Sequence, residues 1–217
     1  MQKIFDKMAD NYLEKRYDEV FGHKTTVKKI GRTLDSLLIQ NRSTRGYKTD
    51  FEVKDETLRK IIGVNTKIAS ARNQQVLRFK PVTGDDAKLV LPHIRLGGAL
   101  PDLHLPLKGT EPNAFIIVCS AAEETRYVDI DLGISLQSML LKAVEIGLNG
   151  LIICAFDHSE ITAALALPYP PLAILAIGKS AEKFRLEPIT ESQSHNYYRT
   201  PDNTHVVPKV RIEDLLI

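Results

Sequence analysis

Three short stretches of the chain combine residue types that could hold a phosphorylated, planar ligand. Asn41, Arg42, Ser43, Thr44, Arg45, Gly46 and Tyr47 place two guanidiniums around two hydroxyls, the planar forks and small donors that recognise phosphate oxygens. A solvated basic turn would carry the same residues. Ala69, Ser70, Ala71, Arg72, Asn73, Gln74 and Gln75 form a run of small residues and amides. Each amide offers both donors and an acceptor, which suits the edge of a heterocycle, although an ordinary polar loop has this composition too. Near the C-terminus, Pro208, Lys209, Val210 and Arg211 set two cations on one side of an extended segment, because side chains alternate along a strand. Taken alone, that is a charged tail.

Other chemistries find less support. The six histidines show no pairing at metal-ligand spacing and the two cysteines, Cys119 and Cys154, are far apart, so zinc is not expected. So few cysteines make no disulfide scaffold and fit a reducing compartment. Cys154, following Leu151, Ile152 and Ile153, reads as an inert core thiol. There is no Walker-type phosphate loop, and Leu96, Gly97, Gly98, Ala99, Leu100 lacks the third glycine of a dinucleotide fingerprint. Asp157, His158 and Ser159 are neighbours that point in different directions, and a helix cap explains Asp157.

The formal charge is only +2, from 29 Lys+Arg against 27 Asp+Glu, yet residues 41–80 hold ten basic and four acidic side chains. That imbalance suits a small anionic ligand; a nucleic-acid domain carries a larger overall excess and a recognisable binding motif. The longest run without a formal charge, Ile161 to Gly178, is broken by Pro168, Pro170 and Pro171, so no membrane span is expected. The opening MQKIFDKMAD interleaves charged with apolar residues, unlike a secretory signal. The reading is a cytoplasmic protein.

The periodicity predicts the elements that position these stretches. Helical spacing is weak over Gln2 to Val20 and strong at Val27, Ile30, Leu34, Leu37 and Leu38, so a helix should end near Asn41 and deliver the first basic turn. A third helix is predicted over 55–66, with Asp55 and Glu56 suited to its N-terminus. A strand over 76–82, a short helix toward Leu91 and a long loop over 97–112 follow. The second half alternates in type: a buried strand over 114–119, a core helix over 129–146 closed by Gly147, Leu148, Asn149 and Gly150, and a strand over 151–156. A short helix capped by Asp157 and a strand over 172–177 complete it. From Glu187 to Arg211 the chain is polar and punctuated by proline, without a period. Such a segment should wrap an existing surface, and the adjacent Tyr197 and Tyr198 favour a partner subunit.

The joint order of these features resembles the flavin-dependent nitroreductase family. The resemblance runs from about Thr33 to the C-terminus and rests on Arg42, Ser43 and Arg45, on Asn73 and Gln75, and on Asp131, Gly133, Gln137, Leu141, Ala143, Gly147 and Leu148. It implies an α+β fold with a central mixed sheet flanked by helices, in a single domain over 33–217 preceded by an N-terminal helical extension over 1–32. It also implies a homodimer whose C-terminal arm wraps the partner, with FMN bound at the interface and NADH or NADPH as co-substrate. Carried over residue by residue, Arg42 and Ser43 would hold the FMN phosphate, with Lys209 and Arg211 adding contacts. Arg45 would lie at the pyrimidine edge, Asn73 and Gln75 would serve the ring, and the Ala155 backbone amide would face the hydride-accepting nitrogen. The flavin would be the reactive group, and no side chain is assigned as catalytic. The chain departs from the family pattern at Asn41, where many members carry a second basic residue, at Val76 and Leu77, where many carry Pro-Trp, and at Cys154, where some carry glutamate. The implied activity is hydride transfer from NAD(P)H through the flavin to an electron-poor acceptor such as a nitroaromatic or quinone. The alternative is a flavin-binding sensor or store without turnover.

Overall fold

The computed structural model describes residues 32–97 and 105–217. The helix expected over Gln2 to Val20, the start of the next one, and part of the 97–112 loop lie outside these residues. Leu34–Ile217 forms one compact unit.

Its centre is a four-stranded sheet of β1 (Leu77–Thr83), β2 (Ala114–Ser120), β3 (Asn149–Ile153) and β4 (Pro171–Gly178), in the order β1-β2-β4-β3. Every residue of β2 is buried. Its alternation splits the core in two: Phe115, Ile117 and Cys119 pack with Val82, Val90 and Ile161 on one face, and Ala114, Ile116 and Val118 pack with Leu58, Ile61 and Met139 on the other. A strand covered on both faces reads as a continuous apolar run, which is what the sequence shows there. Each fully buried Phe, Ile or Leu contributes roughly 1.5–3 kcal/mol to that core. Pro81 sits in β1, an edge strand, the place in a sheet where a residue without an N–H is tolerated.

Five helices surround the sheet among the described residues: α1 (Leu34–Gln40), α2 (Asp55–Ile62), α3 (Gly84–Val90), α4 (Arg126–Glu145) and α5 (His158–Ala164). The predicted third helix is α2 continued as a 3-10 turn over Gly63–Thr66. Asp157 caps α5 as expected, its carboxylate accepting from the N–H groups of Ser159 and Glu160, both at 3.1 Å. The predicted core helix starts three residues early, at Arg126, because the Thr125 hydroxyl accepts from Val128 N–H at 3.4 Å and caps it.

Three expectations are corrected. The predicted strand over 151–156 is β3, over Asn149–Ile153. Asn149 and Gly150 pair with Gly178 and Ile177 of β4 instead of turning, and Gly147, at φ +85°, makes the turn alone. Gly150 belongs inside the strand because a Cβ there would come 2.5 Å from the Ala176 carbonyl oxygen. Secondly, pairing within the four-stranded sheet is antiparallel throughout. Among the described residues, parallel pairing is confined to a single bridge, Ser43 to Gly150, and to a separate small sheet. Thirdly, the segment from Glu187 to Arg211 does fold within its own chain: β5 (Lys183–Ile189) runs parallel to β7 (Thr204–Val210), which pairs antiparallel with β6 (Tyr198–Arg199). Polar residues and prolines mask the period, but His205 and Val206, at 1% and 0% exposure, anchor the central strand.

Candidate cofactor site

The basic turn following α1 is stitched to the sheet. Thr44 N–H donates to the Gly150 carbonyl (3.0 Å), Tyr47 N–H to Thr110 (2.9 Å), and Ala181 N–H to the Gly46 carbonyl (3.0 Å). The Tyr47 ring lies against Gly178, where a Cβ would come 2.7 Å from the ring, and its hydroxyl donates to the Thr44 carbonyl at 2.7 Å. The start of the turn is fixed by amides. Asn149 Oδ1 accepts from Arg42 N–H at 3.3 Å while its Nδ2 donates to the Gln40 carbonyl at 2.8 Å, and Gln137 Nε2 donates to Asn41 Oδ1 at 3.0 Å. Asn41 therefore belongs to the scaffold of the turn, which gives this departure from the family pattern a structural role.

Arg42, Ser43, Arg45 and Lys209 line one cavity of about 290 Å³, between α1, α4 and the small sheet. Lys209 enters from β7 on the same face as Val207 and His205, as strand alternation requires. Arg42 donates through Nη2 to the Leu38 carbonyl and Arg45 through Nη1 to the Ser43 carbonyl at 3.2 Å, but the buried Nε of each has no hydrogen-bond partner among the described residues. Burial holds Arg42 below the ordinary guanidinium range. A cation partly withdrawn from water in this way gains more from an arriving anion than a fully solvated one.

Sequence reasoning missed the wall opposite. Arg45 lies over the Tyr197 ring, 5.0 Å from its centroid, and its N–H donates to Glu182 Oε2 at 2.7 Å. Glu182, with its side chain 7% exposed, also pairs with Arg199. His205 packs against Tyr197 and Phe184, with centroids 5.1 and 5.4 Å apart. In the sequence the adjacent tyrosines are the signal for this wall, and their adjacency suggests a surface for another subunit.

The remaining expected residues lie elsewhere. Asn73 and Gln75 are exposed and off this lining. They bond to each other, Gln75 Nε2 to Asn73 Oδ1 at 3.0 Å, within a loop where Arg72, Asn73 and Gln75 all adopt positive φ (51°, 55° and 49°). Backbone of this kind persists only where its surroundings enforce it. Here buried Asp131 does so, accepting from the Ser70 hydroxyl at 2.6 Å and Ala71 N–H at 2.8 Å. A larger cavity of about 560 Å³ adjoins this loop, with Gln75, Ser70 and Phe79 among its walls; of the two arginines that reach it, Arg59 pairs with Asp55 and Arg78 donates to the Gln75 and Leu77 carbonyls, both at 2.8 Å. Ala155 follows β3, exposed, with its carbonyl accepting from Arg95 N–H at 2.9 Å. Arg211 is exposed just past β7. Cys154 is exposed too, which corrects its reading as a core thiol. The buried cysteine is Cys119, whose thiol burial pushes up to about 11.

No curated protein sequence matches the chain. Among solved structures, a nitroreductase family protein from Clostridium difficile 630 shares 22% identity over 70% of this chain and 86% of its own, with a TM-score of 0.56. The nitroreductase family protein of Streptococcus pneumoniae TIGR4 shares 18% over 78% and 96%, at 0.57. A single-substitution mutant of the FMN and NADPH-dependent nitroreductase NfnB from Sphigopyxis sp. strain HMH shares 19% over 86% and 98%, at 0.64. At these identities the likeness is one of fold. The model of the nitroreductase family matches residues 38–179, a span that takes in the basic turn, the strained loop, all four strands of the sheet and α4, and on that match the chain belongs to the nitroreductase family.

Proposed function

We propose that this protein is an FMN-dependent oxidoreductase that takes hydride from NADH or NADPH and passes two electrons to an electron-poor acceptor such as a nitroaromatic or quinone. The observation that carries the reading is the cavity in which Arg42, Ser43, Arg45 and Lys209 converge, with two buried guanidinium nitrogens unpartnered. That donor set fits a phosphate monoester joined to a polar ring edge. The name of the NfnB relative, FMN and NADPH-dependent, supports the cofactor and the electron donor. Bound FMN supplies the two-electron chemistry; the residues here bind and orient it. Arg42, Ser43 and Lys209 hold the phosphate, and Arg45 sets positive charge beside the ring, which favours electron uptake.

The reading includes a homodimer. On α4, Leu136, Met139, Leu140 and Ala143 are buried, while Tyr127, Ile130 and Ile134 are exposed at 59%, 47% and 36%, beside the exposed polar Arg126, Asp129 and Gln137. Large apolar side chains exposed on a helix whose opposite side is already in the core fit a surface covered by a partner. The exposed C-terminal Leu215, Leu216 and Ile217 fit an arm laid on that partner. In such a dimer each subunit offers its Asn73 and Gln75, which are off their own pocket, to the flavin of the other.

The test is the visible spectrum of purified protein before and after anaerobic addition of NADH and of NADPH. A bound-flavin spectrum bleached by one of them is expected. Colourless protein that takes up no FMN defeats the cofactor, and flavin bleached by neither nicotinamide defeats the enzyme.

A further inference from the structure

His205 stands in the cavity wall with no role in the account above. It is 1% exposed, and neither Nδ1 nor Nε2 has a hydrogen-bond partner among the described residues. The residue is not misplaced: β7 is the central strand of the small sheet, so His205 is paired on both sides, with Phe184 of β5 and Arg199 of β6. Phe184 and Tyr197 pack against its ring. Leaving two buried ring nitrogens unsatisfied is costly, and such groups ask for a reason. From β7, His205 shares the cavity with Lys209, Arg42 and Arg45.

We propose that His205 is the proton-coupled member of this anion site, uncharged in the ligand-free protein and protonated when a phosphate monoester dianion enters. The inference rests on the FMN reading above and deepens it. The charged and titratable groups facing the ring are Glu182 ahead of β5, which favours its protonation, Arg45 and Arg199, which oppose it, and the phenol of Tyr197; burial is the largest influence and holds it below the ordinary imidazole range. An arriving dianion reverses that balance. At an effective dielectric of about 20, one unit charge about 6 Å away favours the charged imidazole about a hundredfold, in the direction opposite to burial. The proton comes from solvent and settles on the imidazole, so binding FMN takes up one proton.

The test is calorimetry of FMN binding to apoprotein at pH 7.5 in buffers of different ionisation enthalpy, beside fluorescence titrations from pH 7 to 9. Over that range the phosphate of FMN is already a dianion, its second pKa being about 6. Uptake approaching one proton is expected, with an affinity that falls by up to tenfold per pH unit, and both effects should be absent for riboflavin. His205→Gln, with His205→Asn as a second variant, should remove the uptake and flatten the profile. FMN binding by the wild type without proton uptake overturns the inference alone. Uptake that persists in both variants assigns the proton to another group and overturns it equally. Failure of the wild type to bind FMN at any pH removes the cofactor reading, and this inference with it.

Discussion

Replacing Arg42 with alanine separates a phosphate clamp from a structural turn. Two things are lost. One is the Nη2 donation to the Leu38 carbonyl at the end of α1, an exposed contact worth about 0.5–1.5 kcal/mol of stability. The other is a charge-assisted contact to the ligand phosphate, made by a guanidinium whose buried Nε is unpartnered, worth roughly 1.5–3 kcal/mol. At about 1.4 kcal/mol per decade, FMN affinity should fall about 10- to 150-fold. Riboflavin has no phosphate and should bind as before. Both ligands can be titrated on one preparation by quenching of flavin fluorescence, so partial unfolding cancels from the ratio of the two dissociation constants. Equal weakening of FMN and riboflavin, or an FMN affinity within about threefold of wild type, would refute the assignment and leave Arg42 as a helix-end contact.

Further outcomes follow from other contacts. Arg45→Ala should lower the reduction potential of bound flavin and slow its reduction by nicotinamide at saturating FMN; an unchanged potential in an anaerobic redox titration contradicts its place beside the ring. Asp131→Ala strips the acceptors from Ser70 and Ala71 and should cost about 3–6 kcal/mol in urea unfolding, since the two bonds to a charged acceptor are worth about 1.5–3 kcal/mol each; a change below about 0.5 kcal/mol would mean the loop holds itself. Ile130→Glu combined with Ile134→Glu should leave a monomer in sedimentation, and a wild-type monomer at micromolar concentration would end the dimer proposal. In the ligand-free protein His205 is held below its unfolded value, so the unfolded chain binds more protons; the stability present above pH about 6.5 is lost as pH falls below it. Melting points between pH 7 and 5 should drop further for wild type than for His205→Gln.

Much of the site was legible because its chemistry is local. Arg42, Ser43 and Arg45 lie within four residues, and a helix ending at Gln40 delivers them whatever the rest of the fold does. Lys209 was legible through strand alternation, and β2 and β4 through their apolar runs. What the sequence hides is long-range pairing. Nothing local in Glu187 to Arg211 shows that β7 runs parallel to β5, because prolines and charges interrupt both strands and parallel register is set by chain far away in sequence. His205 and Tyr197 were missed with it. Cys154 was misread because its apolar run ends at Ile153, where the strand ends too. Asn149 and Gly150 look like a turn, and only the closeness of Ala176 shows why glycine stands inside a strand.

β3 closes one side of the four-stranded sheet, with β4 as its only ladder partner among the described residues. An unpaired strand of this kind is a template for another chain, and proteins commonly blunt such edges with a covering loop or with charge. Here the cover is the basic turn itself: the bridge between Ser43 and Gly150, with Thr44 N–H donating to the Gly150 carbonyl, lays Arg42 and Arg45 along the open side. Past that bridge Ile152 remains 38% exposed. Displacing the turn would therefore do more than release an anion. It would bare a hydrophobic edge, so variants that loosen residues 41–47 should accumulate as aggregates, and ligands that hold the turn in place should also keep the protein in solution.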